Sequence, residues 1–339
     1  MARKGKSSSR RNKIEPSMMT LSLVLPSVGP GASVYSHLDL SQICSLVNRR
    51  FYRQGLNWAV AGFKFFTAAG FQGQIQVHKL PNTWVMSNAW EKSMRAWMKL
   101  NREALEESGS VRPRFLDFKI FANQRHHLAG VGANLLPISS DGNYTAGEWE
   151  ASKMVIPIGA ASPGASASRE LIAVGQNYPG FGASGLDAVS LIEGYAASRG
   201  LPDILDPNAP HDAADVTGFN PDNWLGATFN EGTSQTEVVL DDMITENNQA
   251  PYPFENDGVH LDTMYPGGGI QGIGLEIHDT VTITSTTIGG VSRVKGGNFP
   301  CGLIEFQTLN SGETTAVAVQ IDLIPGTHRG YLAETMVDM

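Results

Sequence analysis

The sequence predicts an all-β protein: a single jelly-roll β-sandwich with short helices in its inter-strand insertions and a disordered basic arm at the N-terminus. Three observations lead there. About eight to ten segments rich in Val, Ile, Thr and aromatic residues are separated by turn signals, and helical patterns fall only in the connections, whereas a parallel α/β sheet needs regularly alternating helices. The 339 residues include 37 Gly and 18 Pro, enough for many turns and long loops. With 41% hydrophobic and only 17% charged residues, a chain of this length can bury a substantial core. Among sandwiches, the jelly roll accommodates long insertions between strands.

In chain order, Thr20 to Leu25 alternates loosely and stops at Pro26, ahead of Gly29, Pro30 and Gly31, which predicts a short strand and a turn. His37 to Tyr52 fits a short helix and a strand equally well. Leu56 to Thr67 and Gly73 to Leu80 are rich in aromatic and β-branched residues, and the Ala-Ala-Gly-Phe-Gln-Gly stretch that leads from one to the other suits a hairpin. Asn88 and Glu91 form a capping-box pattern, after which Trp90, Met94, Trp97, Met98 and Leu105 recur at helical spacing as far as Gly109. That stripe reads as a packing face. Arg114 to Ala122 predicts a strand with Leu116, Phe118 and Ile120 on one face. Residues 123–270 are loop-rich, with strands at Lys153 to Ile158 and Glu170 to Val174 and a short amphipathic helix over Asp187 to Arg199 stopped by Gly200 and Pro202. Ser234 and Glu237 cap a further predicted helix running to Asn247. Leu275 to Thr287, Gly302 to Leu309 and Thr314 to Ile324 close the chain as strands. This divides the chain into an arm, 1–17, and a jelly-roll domain, 18–339.

Charge is segregated along the chain. Arg3, Lys4, Lys6, Arg10, Arg11 and Lys13 stand among Gly5 and Ser7 to Ser9 with no acidic neighbour in the first thirteen residues. These six of the 25 Lys and Arg leave 19 basic against 33 acidic side chains in the remainder. A like-charged run of this kind cannot bury apolar surface, so it predicts a solvated arm suited to polyanions, nucleic acid or a membrane surface; a solubilising or nuclear-import tail fits the arm alone equally well. A second basic signal is Arg49, Arg50 and Arg53 interleaved with Phe51 and Tyr52. Such a group can grip phosphates while stacking bases, or pair with acidic neighbours across a subunit contact. Lys64 and Lys79 extend it if they face the same way.

Catalytic signatures do not emerge. The chain has no G-x-S-x-G nucleophile elbow, H-E-x-x-H motif or Walker-type Gly-Lys-Ser/Thr, and the reading is that of a non-enzyme. Gly267 to Gly272 satisfies GxGxxG, but a predicted strand rather than a helix follows, so it reads as a turn. His126 and His127 are adjacent and diverge on either a strand or a helix, which keeps them from sharing a metal. The groups His211, Asp212 and Asp215, Asp241 and Asp242, and Glu255 and Asp257 can bind Ca²⁺ between subunits or serve as acid and base, but read more readily as solvated loops; no cofactor is expected. Cys44 and Cys301 are too few for a disulfide framework. No apolar run of about twenty residues is present to span a bilayer. Asn143-Tyr144-Thr145 matches the glycosylation pattern without a secretory signal and reads as a chance loop sequence.

The basic arm, the β-rich body, the segment VHKLPNTWVMSNAWEKSMRAW (Val77 to Trp97) with PRFLDFKIFA (Pro113 to Ala122), and the ending VQIDLIPGTHRGYLAE (Val319 to Glu334) resemble capsid proteins of small circular, Rep-encoding single-stranded DNA viruses. The resemblance implies one jelly roll that assembles as a homo-oligomer into an icosahedral shell, the arm lining its interior against a single-stranded genome, probed outside by an unidentified host surface receptor. It implies that Arg3, Lys4, Lys6, Arg10, Arg11 and Lys13 face inward and neutralise phosphate, and that the protein resides in the virion, with the host nucleus as an assembly compartment. Two other readings use the same scaffold: a carbohydrate-binding or hydrolytic jelly roll with Trp149 or Trp224 as a sugar platform, and a capsid protein of a small RNA virus.

Overall fold

The computed structural model describes residues 16–106, 115–158, 165–199, 224–225, 228, 274–287 and 290–338. In chain order these form β1 (Thr20–Val28), β2 (Ala32–Asp39), α1 (Leu40–Asn48), β3 (Leu56–Thr67), β4 (Gly73–Lys79), α2 (Trp84–Glu106) and α3 (Gln124–Ala129). The two-residue pair β5 (Ile138–Ser139) and β6 (Gly142–Asn143) follows, then β7 (Lys153–Ile158), β8 (Ala165–Ile172), β9 (Ala188–Ser190) and α4 (Leu191–Arg199). The chain closes with β10 (Glu276–Ile283), β11 (Val291–Phe299), β12 (Leu303–Asn310), β13 (Thr315–Leu323), the short β14 (Pro325–Gly326) and β15 (Gly330–Tyr331), and β16 (Ala333–Thr335). The protein is mostly β.

Two antiparallel sheets dominate, ordered β1-β13-β3-β11 and β10-β4-β12-β2, with β16 also paired to β3. Period-two alternation gives each strand one inward face: Leu21, Leu23 and Leu25 on β1 and Val317, Val319, Ile321 and Leu323 on β13 are buried. The phase of β3 breaks midway, since Leu56, Trp58 and Val60 point in and then Phe63 and Phe65 do. An irregularity at Ala61 absorbs the extra residue, because Gly62 pairs with Asp322 while Val60 pairs with Leu323. Facing side chains of the two sheets close one core. Phe306 of β12 meets Phe63 and Phe65 of β3 edge-on, each at 5.9 Å between centroids. At the sheet margins β1 approaches β2 and β10 approaches β11, so the pair curls into a half-barrel.

The long stretch between β4 and β10 builds a second core against the outside of the β10-β4-β12-β2 sheet. Helices α2 and α4 and the sheet β7-β8-β9 enclose Trp90, Trp97, Phe118, Ile156, Tyr195 and Trp224, and Leu303 of β12 belongs to this cluster. The β8–β9 pair is parallel, the exception among the strand pairs of the described residues.

Several expectations need correction. The strands β3 and β4 do not form a hairpin: they lie in different sheets, and residues 68–72 carry the chain across the core. Residues 37–52 supply both alternatives, a strand ending at Asp39 and α1, whose N-cap Asp39 accepts from Ser41 N and Gln42 N. Helix α2 begins at Trp84, where the Thr83 hydroxyl accepts from Met86 N at 3.3 Å. Asn88 therefore lies inside the helix and donates to the Tyr195 hydroxyl instead of capping. The described part of the predicted strand 114–122 joins a ladder only through Phe121, which bridges to Ile172, although Phe118 and Ile120 are buried as the pattern requires. Strands β2, over its first half, and β11 have no counterpart in the sequence reading. The predicted helix 234–247 and the Gly267–Gly272 turn lie outside the described residues.

Phe306→Ala, which opens a void beside the rings of Phe63 and Phe65, is expected to lower unfolding free energy by about 3–5 kcal/mol, whereas Phe66→Ala on the exposed side of β3 changes it by about 0.5 kcal/mol or less. Urea unfolding of the two variants measures the difference.

Candidate nucleic-acid interface

The predicted arm residues Arg3, Lys4, Lys6, Arg10, Arg11 and Lys13 lie outside the described residues; the structure does describe the point where the chain leaves them. Pro16 O accepts from the Arg50 guanidinium at 3.0 Å, and Ser17 Oγ donates to Arg329 O at 2.8 Å. Met18 N donates to Asn48 Oδ1 at 3.0 Å, and the Tyr331 hydroxyl donates to Met18 O at 2.7 Å while accepting from Asn48 Nδ2 at 2.7 Å. The root of the arm is thus held by the end of α1, the turn after it and the C-terminal segment.

That turn is the Arg49–Arg53 group. Arg49 is the C-cap of α1 in the left-handed region, φ 52°, which ends the helix and redirects the chain. Arg53 places its guanidinium 5.6 Å from the Phe51 ring centroid, and the Arg329 guanidinium donates to Phe51 O. Tyr52 is buried and its hydroxyl donates to Arg329 O at 2.9 Å, so the aromatic residue that the sequence pairs with the arginines holds the turn in place instead of stacking bases. Arg49, Arg50 and Arg53 are therefore joined by Arg329, a cation 276 residues beyond Arg53 in sequence that no local pattern signals.

A second cationic surface lies on the outward face of β1-β13-β3-β11. Register places Ser22, Gln320, Lys64 and Arg293 in one row across the four strands, and Thr20, Asp322, Gly62 and Lys295 in the next, beside the arm root. Lys64 pairs with Asp322 at 2.7 Å, which holds the Asp322 carboxyl below its ordinary range. Arg293 and Lys295 are exposed and have no ion-pair partner among the described residues. Lys79 does not extend this face: it belongs to the other sheet and donates to Asn298 O at 3.4 Å.

The outward face of the other sheet is closed by a buried polar network. Glu305 on β12 pairs in register with His37 on β2 and His78 on β4. Its carboxylate accepts from His37 Nε2 and His78 Nδ1, both at 2.8 Å, from Asn123 Nδ2 at 2.8 Å and from Arg125 at 3.0 Å. Burial alone would raise the Glu305 carboxyl, but these donors hold it far below the carboxylate range. Asn123 also caps α3 by accepting from His126 N at 2.9 Å, and Arg125 stacks 3.9 Å over Tyr35. His126 stacks on His37 with centroids 4.6 Å apart. Its Nδ1 accepts from Ala122 N at 3.1 Å, so Nε2 carries the proton donated to Asn134 Oδ1 at 2.8 Å and the ring is neutral. His127 diverges to Glu170, at 2.9 Å, as adjacent helical positions require.

Among the described residues no group of three or more His, Cys, Asp or Glu is placed to hold a metal ion, and no helix is long and apolar enough to cross a membrane. The acidic groups at 211–215, 241–242 and 255–257 lie outside them. Cys44 and Cys301 are buried free thiols. Trp224 is fully buried and offers no face to a sugar, whereas Trp149 is half-buried with Lys119 Nζ 4.1 Å from its ring centroid. No protein-family model, curated protein or solved structure matches the chain.

Burial, reinforced by His37, lowers His126 from 6.5 to about 3. The unfolded chain binds a proton that the folded one refuses, so the stabilising contribution is complete above pH 6.5 and is lost as pH falls toward 3; Glu305, also depressed, adds to the loss below its ordinary 4.5. Urea unfolding is expected to lose about 1 kcal/mol per pH unit across that window from His126, and His126→Gln to flatten the slope.

Proposed function

We propose that the chain is a non-enzymatic capsid subunit: a single jelly roll that assembles into an icosahedral shell and packages single-stranded DNA through its basic arm. The strand order supports the jelly roll. Counting only the eight strands of the two large sheets from the N-terminus, one sheet reads first-eighth-third-sixth and the other second-seventh-fourth-fifth, all antiparallel. That is the order of two interleaved Greek keys. A fold alone does not fix a function. The observation that carries the reading is the arm root, where a six-cation leader enters the body between Arg50 and Arg329, next to a sheet face that exposes Arg293 and Lys295 without an ion-pair partner among the described residues.

The electrostatics suit a polyanion without sequence preference. Each cation meeting a phosphate releases a condensed counterion, and many symmetry-related copies turn a short arm into a continuous positive lining. An acidic body keeps assembled shells mutually repulsive. The resemblance to capsids of Rep-encoding single-stranded DNA viruses selects DNA over RNA, and sequencing nucleic acid from purified particles separates the two. Of the two tryptophans of the sugar-binding reading, Trp224 is buried and only Trp149 remains partly open.

Electron micrographs of negatively stained recombinant protein, with single-stranded DNA added, are expected to contain closed particles; a chain that stays monomeric throughout overturns the proposal. Deleting residues 1–13 is expected to leave particles that form but lack nucleic acid, read from their ultraviolet absorbance ratio. Replacing Arg293 and Lys295 with Ala lowers the slope of log affinity against log salt for single-stranded DNA by roughly 0.7 for each phosphate that is no longer neutralised.

A further inference from the structure

Beside the arm root lies a half-open cavity of about 830 Å³. Its deep wall is aromatic. Trp90 and Trp97 from α2 line it with Phe118, whose ring centroid is 6.1 Å from Trp90 and 5.5 Å from Trp97. Gly55 makes this wall possible: a Cβ there would stand 2.2 Å from the Trp90 ring, so only glycine lets the indole lie against the strand entering β3. The rim carries Arg53 and Arg329, both exposed, the same arginines that border the arm root.

One acid lines the cavity. Asp117 Oδ2 accepts from Gln54 N at 3.2 Å, and its other carboxylate oxygen has no hydrogen bond among the described residues. Burial pushes this carboxyl up to about 6, against that hydrogen bond and the charges of Lys119 and Arg53. The cavity therefore offers flat π surfaces in its depth, an acceptor on one side and two cations at its mouth. An acyl chain would satisfy the walls and the cations but would leave the acceptor unpaired against methylene groups, at the cost of its desolvation. A nucleotide satisfies all three: the base stacks, an exocyclic amino group donates to Asp117, and the phosphate lies outside with the arginines. The volume falls within the range of small-ligand sites.

We propose that this cavity receives one unstacked, amino-bearing base of the packaged strand, with its phosphate held by Arg53 and Arg329. The inference rests on the packaging function proposed above and assigns the arm the capture of the strand and the cavity its local registration. It adds a base-dependent component to binding that the arm, reading only phosphate, does not supply.

The test is a titration of the full chain with a deoxyadenosine strand about ten nucleotides long that carries a central 2-aminopurine, beside an abasic strand of the same charge. The 2-aminopurine fluorescence is expected to be quenched on binding, and the abasic strand to bind roughly tenfold more weakly. Asp117→Leu and Arg53→Ala should each reduce the quench while salt-dependent affinity persists; Arg53 is exposed, so its replacement reports on binding even if Asp117→Leu fails to fold. Equal affinity for the two strands, an unquenched probe on bound wild-type protein, or a quench unchanged in Arg53→Ala overturns the pocket and leaves arm-driven packaging standing. Displacement of the probe by a fatty acid, or a neighbouring copy seated in the cavity of an assembled particle, overturns it as well. A chain that binds neither strand overturns the packaging proposal and the pocket together.

Discussion

A carboxylate shut away from water persists only where donors surround it, and those of Glu305 come from four places in the chain. His37 and His78 reach it from the strands on either side, and Asn123 and Arg125 reach it from the insertion above. Loss of either buried histidine leaves the charge short of a partner, yet the network as a whole offsets little more than its own desolvation, so it acts on register more than on net stability. A one-residue slip of β12 against β2 or β4 would turn Glu305 into the hydrophobic core. The same anion seats α3, since the amide that caps the helix also bonds the carboxylate. Glu305 thereby decides both how the central strands of one sheet pair and where the long insertion docks.

Docking of the insertion divides the molecule into unlike sides. One sheet is covered outside by a second core built around Trp90, Trp97 and Tyr195, while the other presents rows of side chains that include Lys64, Arg293 and Lys295. Arg293, Lys295 and the arm root belong to this second side. One outward face is thus clothed and the other bare, and under the proposed shell assembly this difference would give every copy an inside and an outside. The cavity between α2 and the arm root sits where the clothed region gives way to the basic turn.

Much of this was legible in residue order, because burial on one face leaves a period. Thr314 to Ile324 and Thr20 to Leu25 alternate and become strands in adjacent positions; Lys153 to Ile158 and Asp187 to Arg199 likewise become a strand and a strand-led helix. Periodicity identifies a strand without naming its partner, which is why β3 and β4 resembled a hairpin. Strand β11 was hidden because Arg293, Lys295 and the Gly296-Gly297 pair carry turn and solvent character; its inward residues are Ser292, Val294 and Phe299. Of the candidate interface, the Arg49–Arg53 cluster could be read locally. Arg329 and the cationic rows could not, since they form only when β1, β3, β11 and β13 align. The buried network left one cue, a lone Glu within the apolar run Leu303 to Phe306, but its partners are scattered from residue 37 to residue 125.

The Tyr331 hydroxyl has a mechanical consequence. It bonds Met18 and Asn48 together, and Ser17 and Arg50 fasten the same point to the backbone of Arg329 and Pro16. Tension applied to the chain ahead of Pro16 is therefore shared among the first strand, the close of α1 and the C-terminal segment, and does not peel β1 away alone. The leader is a rope tied to a cleat: the sheet that bears its load is gripped from both the first strand and the C-terminal segment.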